Sequence, residues 1–451
     1  MKNDPRRPGA AHAAGATSQS AGARHLDTPP TARELFEVRP VPDASAEDVA
    51  AVVPPDIDQE VVVRFRYPVR FTRRILDPAN HTLRDAVGPA VPARVLVVID
   101  QGVTDAHPTM VDDVFAYCAA HADALELAAE PLVVGGGEAI KNDHGAIDEV
   151  RAAIDTHAID RHSYVVAVGG GAVLDAVGYA AATAHRGVRL IRVPSTVLAQ
   201  DDSAVGVKNA INGFGKKNFI GTFAPPHAVL NDLDLLTTLS DRDWRSGISE
   251  AVKVALLKDA AFFAWIEANA TQLRERSADA MARLVHRSAE LHLIHIAASG
   301  DPFELGSARP LDFGHWAAHK LERLTRHDLR HGEAVAIGVA LDCTYAGLTG
   351  RLDELGLRRA IAALEAVGLP VWHPALDAAG NSGRPAILDG LEEFREHLGG
   401  ELTITLIDGV GSGVEVHEID EDLMLEASAR LRRHTEQGRG PAWSRTQARA
   451  R

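Results

Sequence analysis

The chain has 451 residues, 46% of them hydrophobic and 24% charged, and a formal net charge of -15 at pH 7. That length exceeds one ordinary core and fits two domains with tails. The acidic balance argues against nucleic acid as the main partner, and no stretch approaches the roughly 20 apolar residues of a membrane span. Two cysteines, Cys118 and Cys343, make no disulfide framework and fit a reducing cytoplasm.

Residues 1–56 are rich in Ala, Pro, Ser and Gly, lack an apolar signal core, and read as a mostly disordered extension. The β-formers Val61, Val62, Val63, Phe65 and Tyr67 predict a strand over 59–67, with 71–76 paired to it. Residues 94–100 form a short apolar run ending in an acid, as a buried parallel strand does. A helical stripe spans 107–127. Strands at 132–134 and 164–168 each run into three glycines, and helices cover 146–158 and the stretch through Ala184. Further strands are expected at 188–193 and 228–232. Strands alternating with helices predict an α/β domain over 57–239, with a Rossmann-like, mostly parallel sheet covered on both faces. Beyond Thr238 the pattern becomes helical: 248–258, 260–269, 280–298, 315–323, 332–347 and 354–367. Strand signals return only at 402–407 and 414–416, as a small hairpin. This predicts a C-terminal α-helical domain over 240–430 and a frayed, Arg-rich tail over 431–451.

Gly169, Gly170 and Gly171 lie between a strand and a helix. Bare backbone N–H groups at a helix start suit a pyrophosphate, although the spaced dinucleotide fingerprint is absent. Asp175 falls near the start of that helix, where a carboxylate suits the dipole. Glu138 and Lys141 follow the other glycine run and can share a face. Asp202, Lys208, Lys217 and Asn218 read as part of a loop rich in Gly, Asn and Lys, with lysines suited to phosphate. Glu250 and Lys253 are three apart on a helix, and His315 and His319 four apart, so each pair can face one cavity. Glu250, His315 and His331 offer one carboxylate and two imidazoles, the donor set of a catalytic Zn²⁺ site with an open position. His327 and Glu333 compete for that role.

Taken together and in order, these blocks resemble the 3-dehydroquinate synthase family, the sugar phosphate cyclases. The likeness covers roughly residues 94–349. It rests on the glycine turn at 169–175 and on V-P-S-T at 193–196. It also rests on the blocks at 202–208, 215–223 and 246–253, Gly314-His315, and H-G-E-A-V at 331–335. The resemblance implies that Glu250, His315 and His331 hold Zn²⁺, with Co²⁺ an acceptable substitute. It implies that Asp100, Glu138, Lys141, Gly170, Gly171, Asp175, Thr196, Lys217, Asn218 and Thr238 surround NAD. Asp202, Lys208, Asn218, Lys253 and His319 would hold the hydroxyls and phosphate of a small sugar phosphate. Arg186 matches an arginine that reaches the neighbouring subunit's phosphate, which implies a homodimer.

Departures from the family pattern concern the substrate. Synthases acting on a carboxylated sugar acid carry a lysine after Glu290-Leu291, where this chain has His292. An expected arginine is replaced by Ala308, with Arg309 beside it, and an expected asparagine by Asp312. Losing two cations and gaining an acid disfavours a substrate carboxylate. Asp312 resembles the cyclases of sedoheptulose 7-phosphate, which usually lack a second histidine, yet His319 is present. Arg395-Glu396-His397 stands where relatives have a lysine pair. The expectation is NAD- and Zn-dependent cyclisation of a C7 sugar phosphate with phosphate elimination, sedoheptulose 7-phosphate favoured. The rivals are 3-dehydroquinate formation, a metal-dependent polyol dehydrogenase, and a non-catalytic binding protein.

Overall fold

The computed structural model describes residues 56–88, 92–298, 303, 310–380, 383–397, 400 and 402–439. The first half alternates strand and helix. β1 (Val69–Thr72), α1 (Thr82–Val87), β2 (Ala93–Asp100), α2 (Gln101–Ala106), α3 (Met110–Ala120), β3 (Leu125–Leu127) and β4 (Leu132–Val134) come first. Then come α4 (His144–Thr156), β5 (Tyr164–Gly169), α5 (Gly171–Thr183) and β6 (Arg189–Pro194). The hairpin β7 (Lys208–Gly213) and β8 (Lys216–Phe223) precedes β9 (Ala228–Asp232). The main sheet runs β1-β9-β6-β5-β2-β3, with β4 also on β2, and every pairing in it is parallel.

Its strands are apolar on both faces because both faces are covered. Val95, Val97 and Ile99 of β2 pack with Val114 and Tyr117 of α3. The alternate residues Leu96 and Val98 pack with Ile147, Val150 and Ile154 of α4 and Leu174 of α5. The chain leaves β2 towards β3 and β4 on one side and then crosses to β5 on the other. That reversal opens a crevice at the carboxyl ends of β2 and β5, where such sheets bind ligands.

The second half contains α6 (Asp241–Ser246), α7 (Ile248–Lys258), α8 (Ala260–Arg274), α9 (Ala278–Ala298), α10 (His315–Leu324), α11 (His331–Leu348), α12 (Glu354–Ala366) and α13 (Asp389–His397). The antiparallel hairpin β10 (Ile404–Gly409) and β11 (Ser412–Val416) follows, and then α14 (Glu421–His434). One core joins these helices through Val252, Phe263, Leu284, Trp316 and Ile337. Helix α11 is buried on all sides from Gly332 to Ala346, so it is the axis of this half. Two glycines let the neighbouring backbone touch it. A Cβ at Gly332 would overlap the Ser246 carbonyl oxygen, and one at Gly314 would stand 2.6 Å from the Val339 nitrogen. Gly314 also has a φ of 77°, which favours glycine. These contacts draw the starts of α7, α10 and α11 together.

The expected α/β sheet followed by a helical half is what the structure contains, with five local corrections. Residues 59–67 form no strand; Val61, Val62, Val63 and Phe65 are exposed and bury nothing that would hold a ladder. The first strand is β1, and it pairs with β9 rather than with its neighbour. The helix expected to run through 127 stops at Ala120, because Leu125 is buried in β3 against β2. The segment 202–218 is not a loop: a π-helical turn (Ala199–Ser203) leads into the β7–β8 hairpin. Arg432 and Arg433 are not frayed; they lie on α14 and pair with Asp377 and Glu426. Residues 440–451 of the tail, and residues 1–55, lie outside the described residues.

Candidate active site

Three starting turns converge. Glu250 and Lys253 come from α7, His315 and His319 from α10, and His331 is the first residue of α11. Glu250 Oε1 lies 3.5 Å from His315 Nε2 and 3.6 Å from His331 Nε2. These distances are too long for hydrogen bonds and short enough for one shared ion. The three ligand atoms fall within 4.8 Å of one another, and Glu250 Oε1 is buried without a hydrogen-bond partner among the described residues. One carboxylate and two imidazoles with a side left open fit a catalytic divalent metal.

The surrounding charges are strongly coupled. The Glu250 carboxylate pairs with the buried Lys253 ammonium. Burial alone would raise the Glu250 pKa, but Lys253, His315 and His331 together outweigh it and hold the group at about 2. Burial pushes the Lys253 ammonium down, yet Glu250 and Asp202 raise it on balance, so it stays charged. Asp202 is held well below the usual carboxylate range, because His292 and Lys253 overcome its burial. Burial drives His319 far below its ordinary value and leaves it neutral. His331 behaves oppositely: despite burial, the Glu322 carboxylate lifts it to about 9, so without an ion it carries a proton that a metal would displace.

Of the residues expected around a dinucleotide, Asp100, Gly170 and Thr196 adjoin one another at the carboxyl ends of β2 and β5, and Lys141, Asp175 and Asn218 form a second set. Asp100 ends β2, and Gly170 and Gly171 open α5. A Cβ at Gly170 would meet only Thr196 Cγ2, at 3.4 Å, whereas one at Gly171 would stand 2.6 Å from Ser203 Oγ, so the turn is open at Gly170 and closely packed at Gly171. Lys141 Nζ lies 2.5 Å from Asp175 Oδ2 and donates to Asn218 Oδ1 at 2.7 Å, while Glu138 Oε1 accepts from Asn212 at 3.4 Å. Thr238 Oγ1 is 3.0 Å from His107 Nε2. Lys208 begins β7, and its carbonyl accepts from Arg192 at 2.9 Å. Arg186 stands apart. It lies in the exposed turn after α5, ~20 Å along that helix from Gly171 at 1.5 Å per residue.

Sequence reasoning missed three neighbours. Glu322 sits between His331 Nδ1, at 3.2 Å, and Lys217 Nζ, at 2.9 Å. Its place on the face of α10 that also carries His315 and His319 was the available signal. Asp201 is fully buried with neither oxygen hydrogen-bonded among the described residues, and burial, then Asp202 and Glu250, raise its pKa well above the carboxylate range. Arg192, also fully buried, donates to the carbonyls of Ala204, Gly206 and Lys208 and to Asn209 Oδ1, at 2.7–2.9 Å.

Residues 131–246 match the family model of the 3-dehydroquinate synthase N-terminal domain, and residues 247–382 that of its C-terminal domain. The chain belongs to the 3-dehydroquinate synthase family. A 3-dehydroquinate synthase from Halorhodospira halophila is 36% identical over 339 residues, 73% of this chain and 93% of the relative. The solved 2-epi-5-epi-valiolone synthase ValA from Streptomyces hygroscopicus subsp. jinggangensis 5008, with NAD⁺ and Zn²⁺ bound, superposes with a TM-score of 0.75 at 29% identity. That match covers 84% of this chain and 100% of ValA. A 2-deoxy-scyllo-inosose synthase complexed with carbaglucose-6-phosphate, NAD⁺ and Co²⁺ shares the fold, with a TM-score of 0.65 at 20% identity over 80% of this chain and 95% of that one. The site described above therefore belongs to an enzyme of the dehydroquinate synthase family.

Proposed function

We propose that this protein cyclises a C7 sugar phosphate, with loss of inorganic phosphate and closure of a carbocycle by an intramolecular aldol bond. The observation that carries the reading is the convergence of Glu250, His315 and His331 with Lys253 and Asp202. Glu250, His315 and His331 would hold Zn²⁺, with Co²⁺ as a substitute. The glycine turn, Asp100, Glu138, Lys141, Asp175, Thr196, Lys217, Asn218 and Thr238 would hold NAD. ValA, of similar fold and sequence, was solved with this pair. When bound, NAD⁺ supplies a reversible hydride acceptor, and the metal supplies Lewis acidity at a secondary hydroxyl. The overall change is redox-neutral: phosphate leaves and one carbon–carbon bond forms.

This chain's own residues orient and neutralise. Lys253, kept charged between Glu250 and Asp202, offers an ammonium to a substrate oxygen. Asp202 accepts from substrate hydroxyls, and Asn218 holds a further hydroxyl. Neutral His319 and the Lys208 ammonium face the leaving phosphate. Arg186, too far along α5 to reach its own site, would serve the phosphate of a second copy in a homodimer. Holding one flexible chain in place through successive steps is an orientation effect.

The favoured substrate lacks a carboxylate beside its ketone, as sedoheptulose 7-phosphate does. His292 is engaged by Asp202 at 2.7 Å, and Asp312 adds negative charge near Lys253. A buried carboxylate without a paired cation carries an uncompensated desolvation penalty. The second reading, 3-dehydroquinate formation from the carboxylated heptulosonate 7-phosphate, is favoured by the name of the 36% identical relative. Phosphate release from both sugars, side by side with NMR of the products, separates the two. Net NADH accumulation from a polyol would overturn both in favour of a dehydrogenase. His331→Ala should lose zinc and turnover together, and full zinc content in that variant would sink the metal assignment.

A further inference from the structure

Two sets of ligand atoms meet at His331. The first is Glu250, His315 and His331; the second is His319, Glu322 and His331, whose donor atoms also lie within 4.8 Å of one another. His331 turns Nε2 towards Glu250 at 3.6 Å and Nδ1 towards Glu322 at 3.2 Å. The ligand atoms alone therefore leave a divalent ion two places to sit. Lys217 breaks the tie. Its Nζ lies 2.9 and 3.1 Å from the two oxygens of Glu322, so the fork of that carboxylate already holds an ammonium. The pair is largely buried, and it ties β8 to α10 across the two halves of the fold.

We propose that the Lys217–Glu322 pair decides where the metal binds. Glu322 is a positioning residue: by accepting the Nδ1–H of His331 it fixes the tautomer and aims Nε2 at the Glu250 side. A carboxylate behind a ligating histidine does this in many metal sites. Lys217 prevents Glu322 from becoming a ligand itself, because a divalent ion among His319, Glu322 and His331 would lie beside a poorly solvated ammonium. The inference rests on the reading of Glu250, His315 and His331 as the metal site.

Zinc content and zinc affinity of the purified full-length protein test it without reference to turnover. The wild-type protein should bind one zinc per chain. Glu322→Ala should lower zinc affinity about 10- to 100-fold, measured by competition with a chromophoric chelator. Glu322→Gln, which keeps an acceptor of the same shape, should recover most of that loss and guards against misfolding of the alanine variant. Lys217→Met should take up a second zinc, which Lys217→Met/His319→Ala should lose again. Wild-type affinity in Glu322→Ala, or a single zinc in Lys217→Met at saturating metal, overturns the proposal. His315→Ala is the control for the underlying reading: full zinc affinity in that variant overturns the metal site itself, whatever Glu322 does.

Discussion

His292 Nδ1 lies 2.7 Å from Asp202 Oδ1, so α9 offers the site an imidazole already engaged by a carboxylate from the turn after β6. A lysine there would reach past Asp202 as a free-standing cation. His292→Lys should therefore raise kcat/KM for the carboxylated heptulosonate phosphate, relative to sedoheptulose 7-phosphate, by about tenfold or more. The basis is the ~1.5–3 kcal/mol of a charge-assisted hydrogen bond. Phosphate release on both sugars gives the ratio, and a ratio unmoved by the substitution removes His292 from the specificity argument.

Arg186 follows α5 in an exposed turn in which both it and His185 have positive φ. If it serves the site of a second copy, Arg186→Ala and Lys253→Ala subunits should each be inactive alone. Mixed into verified heterodimers, they should regain part of the wild-type rate, because one of the two shared sites is then intact. Absence of recovery in those heterodimers counts against a role across the interface.

Lys141 joins Asp175 on α5 to Asn218 on β8. Lys141→Met leaves that carboxylate and amide without their shared donor, and NAD affinity should fall about tenfold, from ~1.5 kcal/mol for a hydrogen bond to a charged group. Zinc content should stay at the wild-type level, since Lys141 touches none of the candidate ligands. Cofactor fluorescence titration and metal analysis report the two quantities separately; unchanged NAD affinity would take Lys141 out of the cofactor site.

Asp342 in α11 accepts from Gly314 N at 2.9 Å and Trp316 Nε1 at 3.0 Å, yet burial pushes its pKa up to about 7. The unfolded value is about 3.9. Between these two values the native state keeps a proton that the unfolded chain has released, so this group's contribution to stability declines as pH rises from about 4 to about 7 and is level above. Asp342→Asn should flatten that part of the profile. Urea midpoints at pH 5 and pH 8 check it; an unchanged difference between them would show that Asp342 is not the group responsible.

Legibility in the sequence followed burial and spacing. β2 and β5 were readable because strands covered on both faces become continuous apolar runs, and Glu250, His315 and His331 because each sits in a recognisable block. Residues 59–67 were misread because β-branched side chains mark a strand only where a sheet exists to receive them. The β7–β8 hairpin was hidden because its Asn, Lys and Gly residues are poor strand formers, and only Asn209, Ala210 and Ile211 of it are buried. Asp201 was invisible as a site residue, and Glu322 showed only as a third residue on the His315 and His319 face of α10, because their significance lies in what other elements bring beside them: Glu250 from α7 and Lys217 from a hairpin.

Arg192 makes four hydrogen bonds to residues 204–209, three of them to backbone carbonyls. The backbone between the turn that carries Asp202 and the start of β7 at Lys208 is thereby held in place by the protein itself. If a sugar phosphate binds there as proposed, it meets a preassembled wall, and little conformational entropy is lost on association. Amide hydrogens of this segment should exchange slowly in the ligand-free enzyme and gain little further protection when substrate binds.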